Sequence, residues 1–152
     1  MIKYRIAQHV AFSPLLILFF TLLGIIFHFI IPITLTTHTL RAIVAGFIFI
    51  AIGQAIFWYS NKYRALAYCK DGVCLQPVGS GPYRYSRHPK YGAYLFMIMG
   101  LGVIMNSLIL VLVVCATFIF LTLFIIPHLE GLLIREFGDT YIEYKKKVPM
   151  WI

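Results

Sequence analysis

From about Val10 to Ile33 the chain contains no Asp, Glu, Lys or Arg. At a rise of 1.5 Å per residue such a run crosses about 30 Å of hydrocarbon as one helix, which satisfies every backbone polar group internally. It is longer than the core of a signal peptide and therefore reads as a spanning helix. Three further apolar runs follow, at about Leu40 to Tyr59, Tyr91 to Met105 and Leu108 to Ile126, with Pro127 expected to close the last. Composition agrees, with 61% hydrophobic residues, 12% charged residues and a mean hydropathy of +0.89. The expectation is an all-α integral membrane fold of about four transmembrane helices, forming one domain over residues 1–152.

Only Asn106 and Ser107 separate the third run from the fourth, so the pair predicts a tight antiparallel helical hairpin. The third run is short, about 22 Å as a helix, less than the hydrocarbon thickness. Its start is thus expected below the membrane surface, which draws the preceding "GPYRYSRHPKYGAY" (Gly81 to Tyr94) into a pocket.

The net charge of +8 sets orientation. Lys3 and Arg5 precede the first run. Lys62, Arg64, Lys70, Arg84, Arg87 and Lys90 lie between the second and third, while Arg135 and Lys145 to Lys147 follow the fourth. The loop between the first two runs holds only Arg41. The positive-inside rule then puts both termini and the 60–90 loop in the cytoplasm. The same charges are spread over juxtamembrane segments without a nucleic-acid-binding module, so membrane lipid is the expected partner and nucleic acid is not. Cys69 and Cys74 lack a second ligand pair for zinc and are expected as free thiols. The histidines do not cluster at metal-ligand spacing, and no metal is expected.

After Pro127 the pattern turns amphipathic, with Leu129, Leu132, Leu133 and Phe137 in one stripe and Arg135 and Glu136 off it. Gly138 reads as a helix stop, and Thr140 with Glu143 has capping-box spacing for a second short helix through Tyr144 to Lys147. Both helices of this 128–152 tail are expected along the cytoplasmic face. The topology gathers Arg87, His88, Tyr91 and Glu130 at one membrane-facing site. That set suits a ligand with an anionic end, a cationic amine and a flat ring, as S-adenosylmethionine has.

These residues carry a family resemblance. "SGPYRYSRHPKYGAY" resembles the Gly-x-Tyr and Arg-His-Pro-x-Tyr signature of the isoprenylcysteine carboxyl methyltransferase and phospholipid methyltransferase superfamily. "LEGLLIREFGDTYIEYKKKVP" is similar to its C-terminal signature, a glutamate pair, Phe-Gly, Tyr-x-x-Tyr and Val-Pro. The resemblance covers roughly Leu75 to Pro149. It implies S-adenosylmethionine bound by Leu75, Gln76, Pro77 and Val78, by Tyr83, and by His88, Pro89, Lys90 and Tyr91, with Glu130 on the amino group. Arg87 is the catalytic candidate, orienting an anionic acceptor or lipid headgroup.

Departures from the pattern are Leu129 for the first glutamate, Ala93 beside Gly92 for a glycine, and Ile126 where the isoprenylcysteine enzymes carry an arginine for the substrate carboxylate. The implied activity is methyl transfer to a lipidic or prenylated acceptor, most like isoprenylcysteine carboxyl O-methylation. Phospholipid N-methylation and methylation of a small thiol are alternatives, with His128 or Glu130 as the base an amine would need. Outside that class stand an NADPH-dependent sterol-reductase-like enzyme, similar around Arg-His-Pro-x-Tyr, and a nonenzymatic membrane scaffold. Retained Glu130 argues against the scaffold. Simpler roles attach to several residues: a first-turn proline at Pro89, an interfacial aromatic belt for Tyr85 and Tyr94, and interhelical bonding or tunnel lining for Gln54.

Overall fold

The computed structural model describes residues 2–36, 39–66 and 79–151. Cys69, Cys74 and the expected cofactor segment Leu75 to Val78 lie outside the described residues. The elements are α1 (Ile2–Ile30), α2 (Thr39–Leu66), a 3-10 turn (Gly81–Arg84), α3 (Pro89–Ile104), α4 (Leu108–Phe120), a π turn (Leu121–Ile125), α5 (Ile126–Phe137) and α6 (Asp139–Lys147). Among the described residues the regular structure is helical, with one isolated bridge between Thr34 and Ser107.

Three helices are long and apolar enough to cross a membrane, at Ser13–Ile30, Thr39–Tyr63 and Leu108–Phe137. The fourth expected span is α3, which is shorter at 16 residues, about 24 Å. Large apolar side chains such as Leu15, Phe19, Phe29, Phe47, Trp58 and Leu123 face outward. In water these would form a sticky patch, whereas in lipid they are solvated.

Between helices in lipid the attraction is close packing rather than water expulsion, so small residues mark the contact. On α2 and α3 these are Gly46 and Gly100. A Cβ on Gly46 would stand 2.6 Å from the Gly100 carbonyl oxygen, and one on Gly100 would stand 2.5 Å from that of Gly46. The two backbones touch there, and no side chain fits between them. The buried core lies on the other face of α3, where Tyr91, Leu95 and Ile98 meet Ile17 of α1, Val114 of α4, and Leu121, Ile126 and Leu129.

The hairpin forms as expected, through Asn106 at φ 50° and Ser107, whose hydroxyl accepts from the Leu110 N–H at 3.3 Å and caps α4. Asn106 also ties this turn to the segment after α1. Its Oδ1 accepts from the N–H groups of Leu35 and Thr36 at 3.0 and 2.9 Å, and its Nδ2 donates to the Thr36 carbonyl at 2.7 Å.

Pro127 does not close the fourth helix. The rod continues from Leu108 to Phe137, because the π turn just before the proline shifts the hydrogen-bond register: the Ile126 N–H reaches the Leu121 carbonyl five residues back. That widened turn accommodates a ring that has no N–H to donate and that would crowd an ordinary α-helical carbonyl. Gly138 stops α5 as expected, at φ 57° and ψ −136°, a conformation open to glycine almost alone. The capping box is not formed. Gly138 is the N-cap of α6 without any side-chain cap, and Thr140 lies inside the helix, with Asp139 in the first turn facing the positive end of the dipole.

Candidate functional site

Glu130 sits on α5 one residue after Leu129, on the stripe that packs inward, and is 2% exposed. A buried carboxylate is costly unless charge and hydrogen bonds compensate for lost water. Three groups from two other parts of the chain do so. Arg87 Nη1 lies 2.6 Å from Oε1, His88 Nε2 lies 3.2 Å from the same oxygen, and Lys145 Nζ of α6 lies 2.7 Å from Oε2.

The Arg-His pair is aimed by the start of α3 and by the C-terminal strap. His88 is the N-cap residue and Pro89 opens the helix, where a missing N–H costs nothing. The Ser86 hydroxyl accepts from the His88 N–H at 3.3 Å and donates to the Met150 carbonyl at 2.8 Å, while the Arg87 N–H donates to the Pro149 carbonyl at 3.0 Å. Beyond them Trp151 Nε1 donates to Thr122 Oγ1 at 3.1 Å, within the π turn. The Val-Pro end of the tail signature therefore works as a backbone clamp on Ser86 and Arg87.

The other expected residues divide. Tyr91 joins the cluster, its ring stacked on His88 at 5.9 Å and 30°, and its hydroxyl donates to Ser13 Oγ at 2.8 Å. Tyr83 belongs to the adjacent 3-10 turn, and its carbonyl accepts from the Tyr144 hydroxyl at 2.7 Å. Lys90 points elsewhere, with Nζ 5.8 Å from the centre of the Phe57 ring. His128 is exposed on α5, and Gln54 is exposed on α2. Tyr85 is exposed as an interfacial residue would be, whereas Tyr94 packs on Phe57 within the bundle.

In the sequence Tyr141 and Tyr144 stand only as part of the tail signature and Lys145 only as a cytoplasmic charge, with no place at the site, although the three share one face of α6 by their spacing of three and four. Tyr141 is 2% exposed. Burial, and then the Glu130 charge, push its phenol well above the ordinary range. Burial pushes Tyr144 up to about 12, with Tyr83 adding to the effect. Both therefore stay protonated as donors. Around Glu130 three buried donors complete no well-aligned hydrogen bond among the described residues, namely Arg87 Nε, Arg87 Nη1 and Tyr141 Oη, although Arg87 Nη1 is ion-paired with Glu130 and the Tyr141 hydroxyl lies against the Arg87 guanidinium. The Arg87–Glu130 contact is thus held by charge and is out of alignment for a hydrogen bond. Among the described residues, no group of three His, Cys, Asp or Glu could hold a metal ion.

On the other side of Ser86 and Pro89 opens a groove of about 920 Å³ between α2 and the α3–α4 hairpin. Its walls are apolar and aromatic, with Ile56, Trp58, Leu95, Phe96, Phe118 and Trp151 the main surfaces, and Arg84 stands at its edge. Among the described residues, none that lines it is a histidine or a carboxylate.

The phospholipid methyltransferase family matches residues 40–139 of the chain. A curated relative, Protein-S-isoprenylcysteine O-methyltransferase of Xenopus laevis, is 41% identical over 73 residues. That match covers 47% of this chain and spans 25% of the relative's length. No solved structure matches the chain.

Proposed function

Because the chain belongs to the phospholipid methyltransferase family, we propose that it is an S-adenosylmethionine-dependent membrane methyltransferase whose acceptor carries an apolar tail. The observation that carries this reading is one buried carboxylate beside buried donors that complete no well-aligned hydrogen bond among the described residues. Glu130 suits an ammonium, and Arg87 Nε and Nη1 with Tyr141 Oη suit a carboxylate. Together they match the two charges of a methionyl group. The stacked His88 and Tyr91 rings supply aromatic faces of the kind a sulfonium favours. Leu75 to Val78 and Tyr83 are the candidates for the adenosine part, and Lys90, turned to Phe57, is the weakest of the expected contacts.

S-adenosylmethionine supplies an activated methyl group with a good leaving group when bound. The chain's part is then to hold donor and acceptor in line and to keep water away, which is catalysis by proximity. The apolar groove suits an acyl or prenyl tail entering from the bilayer, with Arg84 at its edge for an anionic head. Ile126, fully buried in the core, offers no cation for that head.

Among the described residues the groove lining carries no acid or histidine, which bears on the acceptor. A protonated amine needs a base, and in this reading Glu130 is taken by the cofactor's ammonium while His128 lies on the surface. A carboxylate or thiolate needs none. We therefore favour O-methylation of a prenylated carboxylate, on a site facing the cytoplasm as the charge distribution indicates.

The test supplies purified protein in nanodiscs with methyl-labelled S-adenosylmethionine and, in turn, a farnesylcysteine analogue, phosphatidylethanolamine and a small thiol. Label is expected in the farnesylcysteine ester. Label in phosphatidylethanolamine would overturn the acceptor assignment, and failure of folded protein to bind the cofactor would overturn the methyltransferase reading.

A further inference from the structure

The two oxygens of Glu130 are not equivalent. Oε1 is held by Arg87 and His88, whose side chains are 8% and 6% exposed and whose backbones are fixed by the start of α3 and the C-terminal strap. Among the described residues Oε2 faces a single ion-pair partner, Lys145 Nζ, whose side chain is 43% exposed. Any ammonium that comes to this carboxylate must come to Oε2. At 2.7 Å, Lys145 already stands there.

We infer that Lys145 is a built-in competitor for the ammonium of the methionyl ligand, and that its side chain swings off Glu130 into solvent each time that ligand binds. This rests on the cofactor reading given above. The helix itself need not move. Tyr144 is anchored to the Tyr83 carbonyl and Tyr141 is buried, so α6 stays docked while the four-carbon stem of Lys145 changes rotamer. A half-exposed ammonium regains water when it leaves, and the incoming ammonium takes its place on the buried carboxylate, so Glu130 is never left without a counter-charge and the exchange is shallow. The buried Arg87 and His88 cannot make the same exchange.

Two consequences follow from charge. While Lys145 is on Oε2 the carboxylate is neutralised from both oxygens, which is what makes a buried anion tolerable at the membrane edge. The ligand's apparent affinity is lowered by the fraction of molecules in which Lys145 is in place. The penalty falls only on ligands that bring an ammonium.

The experiment is calorimetric titration of the full chain in nanodiscs with S-adenosylhomocysteine, which keeps the amino-acid end, and with 5′-methylthioadenosine, which lacks it. Proteins are the wild type, Lys145→Met, Lys145→Arg and Lys146→Met as an exposed neighbour of the same charge. Lys145→Met is expected to bind S-adenosylhomocysteine about three- to fivefold more tightly. Its affinity for methylthioadenosine should be unchanged, Lys145→Arg should not gain, and Lys146→Met should match the wild type.

Equal or weaker binding of S-adenosylhomocysteine by Lys145→Met would overturn the inference and leave the cofactor reading standing, since the wild type still binds. Equal tightening for methylthioadenosine would also overturn it, because the effect would then be general. Failure of every folded protein to bind either nucleoside would overturn the cofactor reading itself, and the inference with it.

Discussion

Two polar knots sit at opposite ends of α3, and they are built differently. At the Asn106 end every side-chain group in use is neutral and matched: Oδ1 takes two N–H groups and Nδ2 gives one hydrogen bond to a carbonyl. At the Glu130 end the groups are charged, and Arg87 Nε, Arg87 Nη1 and Tyr141 Oη complete no well-aligned hydrogen bond among the described residues. A knot with no unmatched atoms stabilises a turn and has nothing to offer a ligand. A knot with buried donors to spare is costly to the fold, and the cost is recovered when a ligand of complementary charge binds. On the proposed reading, the contrast gives structure to one end and binding to the other.

The largest expected effect breaks the binding end. Glu130→Gln keeps the shape and removes the charge, and S-adenosylhomocysteine affinity should fall about 100-fold, the scale of a buried charged partner lost. Calorimetry in nanodiscs checks this, with Asn106→Leu expected within twofold of the wild type. The converse follows next in size. Asn106→Ala gives up three hydrogen bonds to backbone and should lower unfolding stability by about 2–3 kcal/mol, read as a drop in melting temperature at unchanged affinity. An Asn106 variant that lost affinity as Glu130→Gln does would dissolve the distinction between the two ends.

Much of this contrast was legible in the sequence, for specific reasons. Apolar runs and their charged flanks are one-dimensional signals, so α1, α2, α3 and the rod that begins at Leu108 fall close to where hydropathy places them. The gathering of Arg87, His88 and Glu130 at one site came through topology and motifs, while their pairing with one another is seen only in the structure. The path around Pro127 was not legible, because a π turn depends on how the widened helix packs against its neighbours and not on any local preference. Nor was the role of Lys145. In sequence it is one of three consecutive lysines, and only the direction of α6, set by the Gly138 backbone, brings it and not Lys146 or Lys147 to Glu130.

A sharper probe is Tyr141→Phe, which removes one buried hydroxyl that completes no well-aligned hydrogen bond among the described residues. If that hydroxyl serves a ligand carboxylate, affinity for S-adenosylhomocysteine should fall about threefold to tenfold. The melting temperature should hold or rise slightly, because a buried donor with no well-aligned hydrogen bond has gone. A fall in stability at unchanged affinity would move Tyr141 from the binding end to the structural one.

The smallest effect concerns Tyr144, which lies beside the charged knot but behaves as the matched one does, since its hydroxyl is already given to the Tyr83 carbonyl. Tyr144→Phe should lower stability by about 1 kcal/mol and leave affinity alone. Its signature is the pH window. Burial and neighbouring groups raise its folded pKa to about 12 from an ordinary 10, so the protonated phenol is favoured by folding. The stability it adds is fully present below pH 10 and is lost as pH rises through 12. Melting curves of wild type and Tyr144→Phe should therefore differ by a constant amount up to pH 10 and converge above it. A gap that widened with pH instead would mean that the phenolate is the form the fold prefers, which the Tyr83 carbonyl, an acceptor, cannot support.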